Sequence, residues 1–237
     1  MYAARASRPW WSLPERLANR FEFIQEAHEL MDEAERDPAI RALVVTSTHK
    51  TIFCPGVDLP SLMRRSAPEM RRFYEALTGI VRRKVAYPKP EMYALNGRTI
   101  GGGCMMALAG DYRVMAKGRS AFGLMEIDVG LAAPIGVVEM IRHLVGGRVT
   151  ERMLFNGERF TPERALAPGL VDEVVEPERL MDRALEEARL LGGSRPEAIS
   201  GSSSTRGRRS LSRCGRWTPH TWTASSSNGF PRKPSAS

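Results

Sequence analysis

Short, unbroken apolar runs constrain this chain more than any other feature. Residues 42–46 read ALVVT, with no polar position before the closing threonine. Such runs belong to strands of a parallel sheet covered on both faces, because a half-exposed strand would alternate apolar and polar residues. Residues 91–95 (EMYAL), 111–116 (DYRVMA) and 170–175 read as further strands. The stretches between them carry the other period. Leu17, Phe21, Ile24, Met31 and Ala34 fall three, four or seven apart and make one helical stripe, which Asp37-Pro38 ends. Met70, Phe73, Leu77 and Ile80 make a second, with Pro88 and Pro90 flanking its end. CMMALA (104–109) reads as a short buried helix. Thr161 and Pro162 supply an N-cap and an N1 proline, Gly169 a C′ glycine, and residues 177–191 a last helix. Strands alternating with helices predict an α/β fold with a parallel sheet. No segment repeats at a fixed period.

The sequence changes character near residue 200. Residues 201–237 are rich in Ser and Arg, carry no Asp or Glu and show no period, so they read as a disordered tail that buries too little apolar surface to offset its ordering entropy. The composition also resembles a GC-rich coding region read out of frame. Of the net charge of +8, seven units come from this tail and one from residues 1–200. The globular part therefore lacks the basic face of a nucleic-acid-binding domain. No apolar run approaches the roughly 18 residues of a membrane span. The first residues, MYAARASRPWW, lack the apolar core and cleavage site of a secretory signal. Three cysteines (Cys54, Cys104, Cys214) without a CxxC spacing, and four scattered histidines, predict neither a disulfide framework nor a metal site. The expected setting is the reducing cytoplasm.

Three segments have the composition of chemistry. Residues 53–59 (FCPGVDL) follow the ALVVT strand with a Pro-Gly turn, which exposes backbone N–H groups; most such turns are merely turns. Asn96-Gly97 precedes Gly101-Gly102-Gly103-Cys104, where three glycines open a helix. The first N–H groups of a helix have no intrahelical acceptor, and the positive end of its dipole lies behind them. Close packing of helix on strand would also require glycine, so both readings stand at this point. The pattern is neither GxGxxG nor GxxxxGK[ST], so dinucleotide and P-loop readings fail. In residues 122–131 (FGLMEIDVGL), Glu126 lies among apolar neighbours, a setting that raises a carboxyl's pKa and suits a general acid or base. A loop glutamate on the surface is the commoner case.

In order and spacing, these segments resemble the crotonase (enoyl-CoA hydratase/isomerase) family, with its F-x-x-G-[AVL]-D-L loop, N-G-x-x-x-G-G-G helix start and F-G-x-x-E-x-x-x-G-L segment. The resemblance runs from about residue 8 to about residue 190 and includes 157–175, ending GLVDEVV. It implies a crotonase-like spiral of β-β-α units over residues 1–200, with the opening strand pair incomplete because seven residues precede Arg8, and with 201–237 as the tail. It also implies an acyl-CoA or enoyl-CoA substrate, with coenzyme A as part of that substrate and no separate cofactor. The backbone N–H groups of Val57 and Gly102 would form an oxyanion hole. Pro55, Gly56, Asp58, Leu59, Gly101 and Gly103 would line the substrate side. The family's hydratases carry a second acid at the position of Met105, and its dienoyl isomerases carry acids at the positions of Met105 and Pro134. Glu126 alone remains, which resembles the single-glutamate Δ3,Δ2-enoyl-CoA isomerases. Asp128 and Glu139 are fallback acids, for which a solvent or cap role is the simpler reading. The alternatives are hydration or other enolate chemistry, or an inactive, truncated or frameshifted member that only binds CoA esters. The helices that build the family's trimer have no counterpart in the tail, so a homotrimer would be weakened.

Overall fold

The structure is a computed structural model that describes residues 21–58, 62 and 64–193. Leu17, Leu59, the residues before 21 and the tail 201–237 lie outside the described residues. Helix α1 (Phe21–Arg36) leads to β1 (Leu43–Val45) and β2 (Ile52–Cys54), then α2 (Ala67–Val85), β3 (Glu91–Leu95), β4 (Arg98–Ile100) and α3 (Gly102–Ala109). Next come β5 (Tyr112–Ala116), β6 (Phe122–Gly123), a 3₁₀ turn at Ile127–Val129, and α4 (Ile135–Phe155), which is broken at Gly146. The short α5 (Pro162–Leu166), β7 (Glu173–Val175), a 3₁₀ turn at Pro177–Arg179 and α6 (Leu180–Gly193) complete it.

A strand–strand–helix unit recurs: β1-β2-α2, β3-β4-α3 and β5-β6-α4. The first strand of each unit enters a four-stranded parallel sheet of order β1-β3-β5-β7, and the second enters a three-stranded parallel sheet of order β2-β4-β6. This is the spiral of β-β-α units that the family resemblance implied. The glycine-rich turns lie where the second sheet's strands end: Gly56 follows β2 and Gly101 follows β4.

The long apolar runs became the first sheet. Every residue of β3 is buried, and α3 is buried along its whole length between the sheets and their neighbours. The stripe Met70, Phe73, Leu77 and Ile80 is buried against Ile24 and Met31 of α1. At the end of α2 the Lys84 Nζ donates to the Glu91 carboxylate at 2.9 and 3.3 Å, an ion pair almost fully removed from water. The side chain of Thr161 caps α5, accepting from Arg164 N–H, and Gly169 takes a positive φ of 79° beyond it.

Two expected elements differ. The strand expected over 170–175 forms only at Glu173–Val175, because the Leu170 and Val171 N–H groups turn back to Ala165 O at the end of α5. The helix expected from 177 begins as a 3₁₀ turn and becomes α-helical at Leu180. Among the described residues no helix is long and apolar enough to cross a membrane, and no three potential metal-ligating side chains cluster.

Candidate active site

The first turn leaves β2 at Cys54 and passes through Pro55 to Gly56, whose φ of +92° disfavours any residue with a Cβ. A Cβ there would lie 3.0 Å from Ile100 O and 3.6 Å from Gly102 N, so this turn packs directly on the second. The second turn is anchored by Gly101, with φ 54° and ψ −123°. Its N–H donates to Gly123 O at 3.0 Å and its carbonyl accepts from Met105 N–H at 2.9 Å. Gly102 then opens α3, with the positive end of that helix's dipole behind its N–H.

The remaining glycines of the motif pack the structure. A Cβ on Gly103 would fall 2.6 Å from Cys54 Cβ, so its bareness lets α3 approach β2. A Cβ on Gly97 would fall 2.2 Å from the Thr51 carbonyl carbon. Its neighbour Asn96 donates from Nδ2 to Ser47 O and His49 O, tying the β3–β4 corner to the loop before β2.

Glu126 follows β6 and starts the 3₁₀ turn. Its carbonyl accepts from Val129 and Leu131 N–H, which fixes its backbone. Its Oε2 accepts from Met125 N–H at 2.9 Å. Its Oε1 lies 3.5 Å from where a Gly101 Cβ would stand, so the carboxylate rests against the Gly101 turn. Burial pushes the Glu126 carboxyl above its ordinary 4.5; its own N–H and that of Met125 pull it partly back, and the charge of Asp128 adds to the rise.

One cleft joins these parts. Gly56, Val57, Gly101, Gly102 and Glu126 all line it, and its empty space, counted out to the solvent mouth, is about 420 Å³. Tyr74 and Leu77 of α2, with Met105 and Pro134, wall the rest together with Met125, Val129 and Leu131. Pro55 and Asp58 sit on the same loop as Val57 but do not line the cleft, nor does Gly103. Asp128 is exposed and paired with Arg159, and Glu139 reaches Arg142 at 3.4 Å; neither faces the cleft. Sequence reasoning missed the contribution of α2. Leu77 read as core, which it also is, and Tyr74 lay one residue off the helical stripe. The usable signal was their spacing of three, which puts both on one helix face.

The enoyl-CoA hydratase/isomerase family model matches residues 17–203. The chain belongs to this family. It is 30% identical over 176 residues to the short-chain-enoyl-CoA hydratase of Clostridium acetobutylicum, covering 74% of this chain and 67% of that protein. It is 34% identical over 164 residues to the mitochondrial enoyl-CoA delta isomerase 1 of Rattus norvegicus, covering 69% of this chain and 57% of that protein. Its fold is similar to that of the human mitochondrial delta3-delta2-enoyl-CoA isomerase, with a TM-score of 0.84 at 27% identity over 89% of this chain and 82% of that one. The chain thus spans roughly half to two thirds of the length of the curated relatives it matches. Met105 and Pro134, the two positions at which the resemblance set this chain apart from acid-bearing members, both stand on the cleft wall.

Proposed function

We propose that this protein isomerises 3-enoyl-CoA thioesters to the conjugated 2-enoyl-CoA, with Glu126 as proton shuttle. The observation that carries this reading is the set of acids in the cleft: Glu126 is the one carboxylate among its described lining residues, and Met105 and Pro134 are apolar. The Glu126 carboxylate takes a proton from C2. The electron pair left behind spreads over the thioester oxygen, C2 and C4. The Glu126 carboxylic acid then returns the proton at C4, and the double bond moves into conjugation. One base on one side of the chain serves both carbons, and no water needs activating. The raised pKa suits a group that must both take and give a proton near neutral pH.

The N–H groups of Val57 and Gly102 are the proposed donors to the thioester oxygen, where charge develops. Fixed backbone dipoles in a largely apolar cleft stabilise that charge without reorganising. Coenzyme A enters as part of the substrate and no further cofactor is required. Hydration is the less favoured chemistry, because Met105 can neither hold nor activate a water molecule.

The test follows the conversion of a 3-enoyl-CoA to the 2-enoyl thioester, with Glu126→Gln as control. The expected result is turnover by the wild type and a loss of about 100- to 10,000-fold in the variant, with saturated acyl-CoA still bound. Full activity in Glu126→Gln, or hydration of a 2-enoyl-CoA outpacing isomerisation, would overturn the reading.

A further inference from the structure

Among the described residues lining the cleft, two side chains bear polar hydrogen-bonding atoms: Glu126 and Tyr74. The others are glycines, aliphatic residues, methionines and a proline. Tyr74 projects from α2 beside Leu77, with its ring edge-on to Phe73 at 6.1 Å. The Glu126 Oε2 is engaged by Met125 N–H, which leaves Oε1, beside Gly101, as the oxygen on the cleft side.

We propose that Tyr74 is a positioning residue for Glu126: its phenol O–H donates through one bridging water to the cleft-side oxygen of the carboxylate, and so sets the pH range over which Glu126 serves as base. Two features besides the shared cleft support this. Burial, and after it the negative charge of Glu126, push the Tyr74 phenol up to about 12, so the two groups sense each other and the phenol keeps its proton throughout the working range. The apolar walls between them also lower the local dielectric, which strengthens a hydrogen bond to an ionised group.

The other groups around Glu126 do not offer the same service. Asp128, two residues on, is anionic and paired with Arg159. Cys104 of α3 is wholly buried, and burial followed by the Glu126 charge raises its thiol well above 9.0. The Arg113 guanidinium is turned to Gly110 O and Asp172. The Met125 and Glu126 N–H groups are fixed donors that no side-chain exchange alters.

A donor to the ionised carboxylate favours the charged form. Tyr74→Phe removes the donor and keeps the ring, so it raises the Glu126 pKa and moves the acid limb of the kcat/KM profile to higher pH. With each profile normalised to its own plateau, the variant is expected to be about 3- to 10-fold slower than wild type at a pH on that limb. A merely structural Tyr74 would leave the limb in place.

The assignment rests on the proposed role of Glu126, so the deciding measurement does not depend on turnover. The carboxylic-acid C=O band of Glu126 is followed by infrared titration of the whole protein and assigned by its loss in Glu126→Gln. In Tyr74→Phe that band should persist to higher pH than in wild type. A band titrating at the same pH in both proteins overturns the Tyr74 role, whatever the activity. A band that moves in a protein without isomerase activity keeps the Tyr74–Glu126 coupling and discards the isomerase reading.

Discussion

In the four-stranded sheet, β3 is buried at all five positions, and Met92, Ala94 and Leu95 are wholly so. The three-stranded sheet has strands of two or three residues, and it is held by glycines that let backbones touch: Gly97 on Thr51, Gly103 on Cys54, and Gly123 against Glu158 O, 2.8 Å from where its Cβ would be. One sheet is specified by the side chains it has, the other by the side chains it lacks. The cleft sits on the second. Close backbone approach brings the Gly56 and Gly101 turns together and presents amide dipoles, which bulky strand residues would bury. Stability and chemistry should therefore separate between residues that only pack the sheets and residues that line the cleft, and substitutions ranked by their effect on stability test this.

The largest loss is expected in the first sheet's supports. Lys84→Met strands the Glu91 carboxylate in a site closed to water and should cost about 3–5 kcal/mol in denaturant unfolding. Isomerase activity per folded molecule should be unchanged, because neither residue lines the cleft. A matching fall in specific activity would break the separation. Gly97→Ala comes next. Its Cβ would strike Thr51 backbone, which cannot swing aside as a side chain could, and the expected cost is about 3 kcal/mol. Because Gly97 packs the corner without facing the cleft, the folded fraction should again retain its activity.

Gly101→Ala should invert the pattern. Its φ of 54° and ψ of −123° cost a residue with a Cβ about 1–3 kcal/mol. The added methyl meets Glu126 Oε1 at 3.5 Å, an ordinary contact, so the strain falls on the turn that leads into Gly102. A turn that shifts to relieve this strain would move the Gly102 N–H, the proposed oxyanion donor, and should lower kcat/KM by about 100-fold or more, well beyond the stability loss. If kcat/KM fell only in step with the folded fraction, Gly101 would be a packing glycine like Gly97.

The same contrast explains what could be read from the sequence. The residues that form β3 and β5 announce themselves because burial demands mostly apolar stretches; ALVVT does so as an unbroken apolar run, although Leu43–Val45 at the sheet's edge are only half-buried and not covered on both faces as expected. The α2 stripe does so because one helix face must be covered. The second sheet left no such trace. Ile52–Cys54, Arg98–Ile100 and Phe122–Gly123 are too short for a period, and each is punctuated by the glycine or proline of the turn it serves. These segments were legible as motifs and not as strands. α4 was also missed: it is broken at Gly146, and its buried positions Val137, Met140, Ile141, Thr150 and Met153 do not run as one continuous stripe. Glu126 could be singled out, since a carboxyl among apolar neighbours is conspicuous in one dimension. Tyr74 could not, because only the packing of α2 against the cleft brings it into the same lining as Glu126.

The smallest effect concerns Glu126 itself, and its sign matters more than its size. Burial raises its folded-state pKa above the ordinary 4.5 of the unfolded chain. Between those two values the folded protein holds more protons than the unfolded one, so stability falls as the pH rises through this window and stays lowered above it. Glutamine carries no charge to desolvate, and its side-chain oxygen can still accept from Met125 N–H. Glu126→Gln should therefore melt above wild type at pH 8, while losing turnover. The difference should shrink as the pH falls through the folded-state pKa and vanish below about 4.5, where the glutamate is neutral in both states. A carboxylate kept at a cost to the fold is what a catalytic site requires and a structural pair such as Lys84–Glu91 does not. If Glu126→Gln instead melted below wild type at pH 8, the Met125 hydrogen bond would outweigh burial. Glu126 would then belong with the residues that hold the fold together, and the line between packing and cleft residues would not run where the cleft suggests.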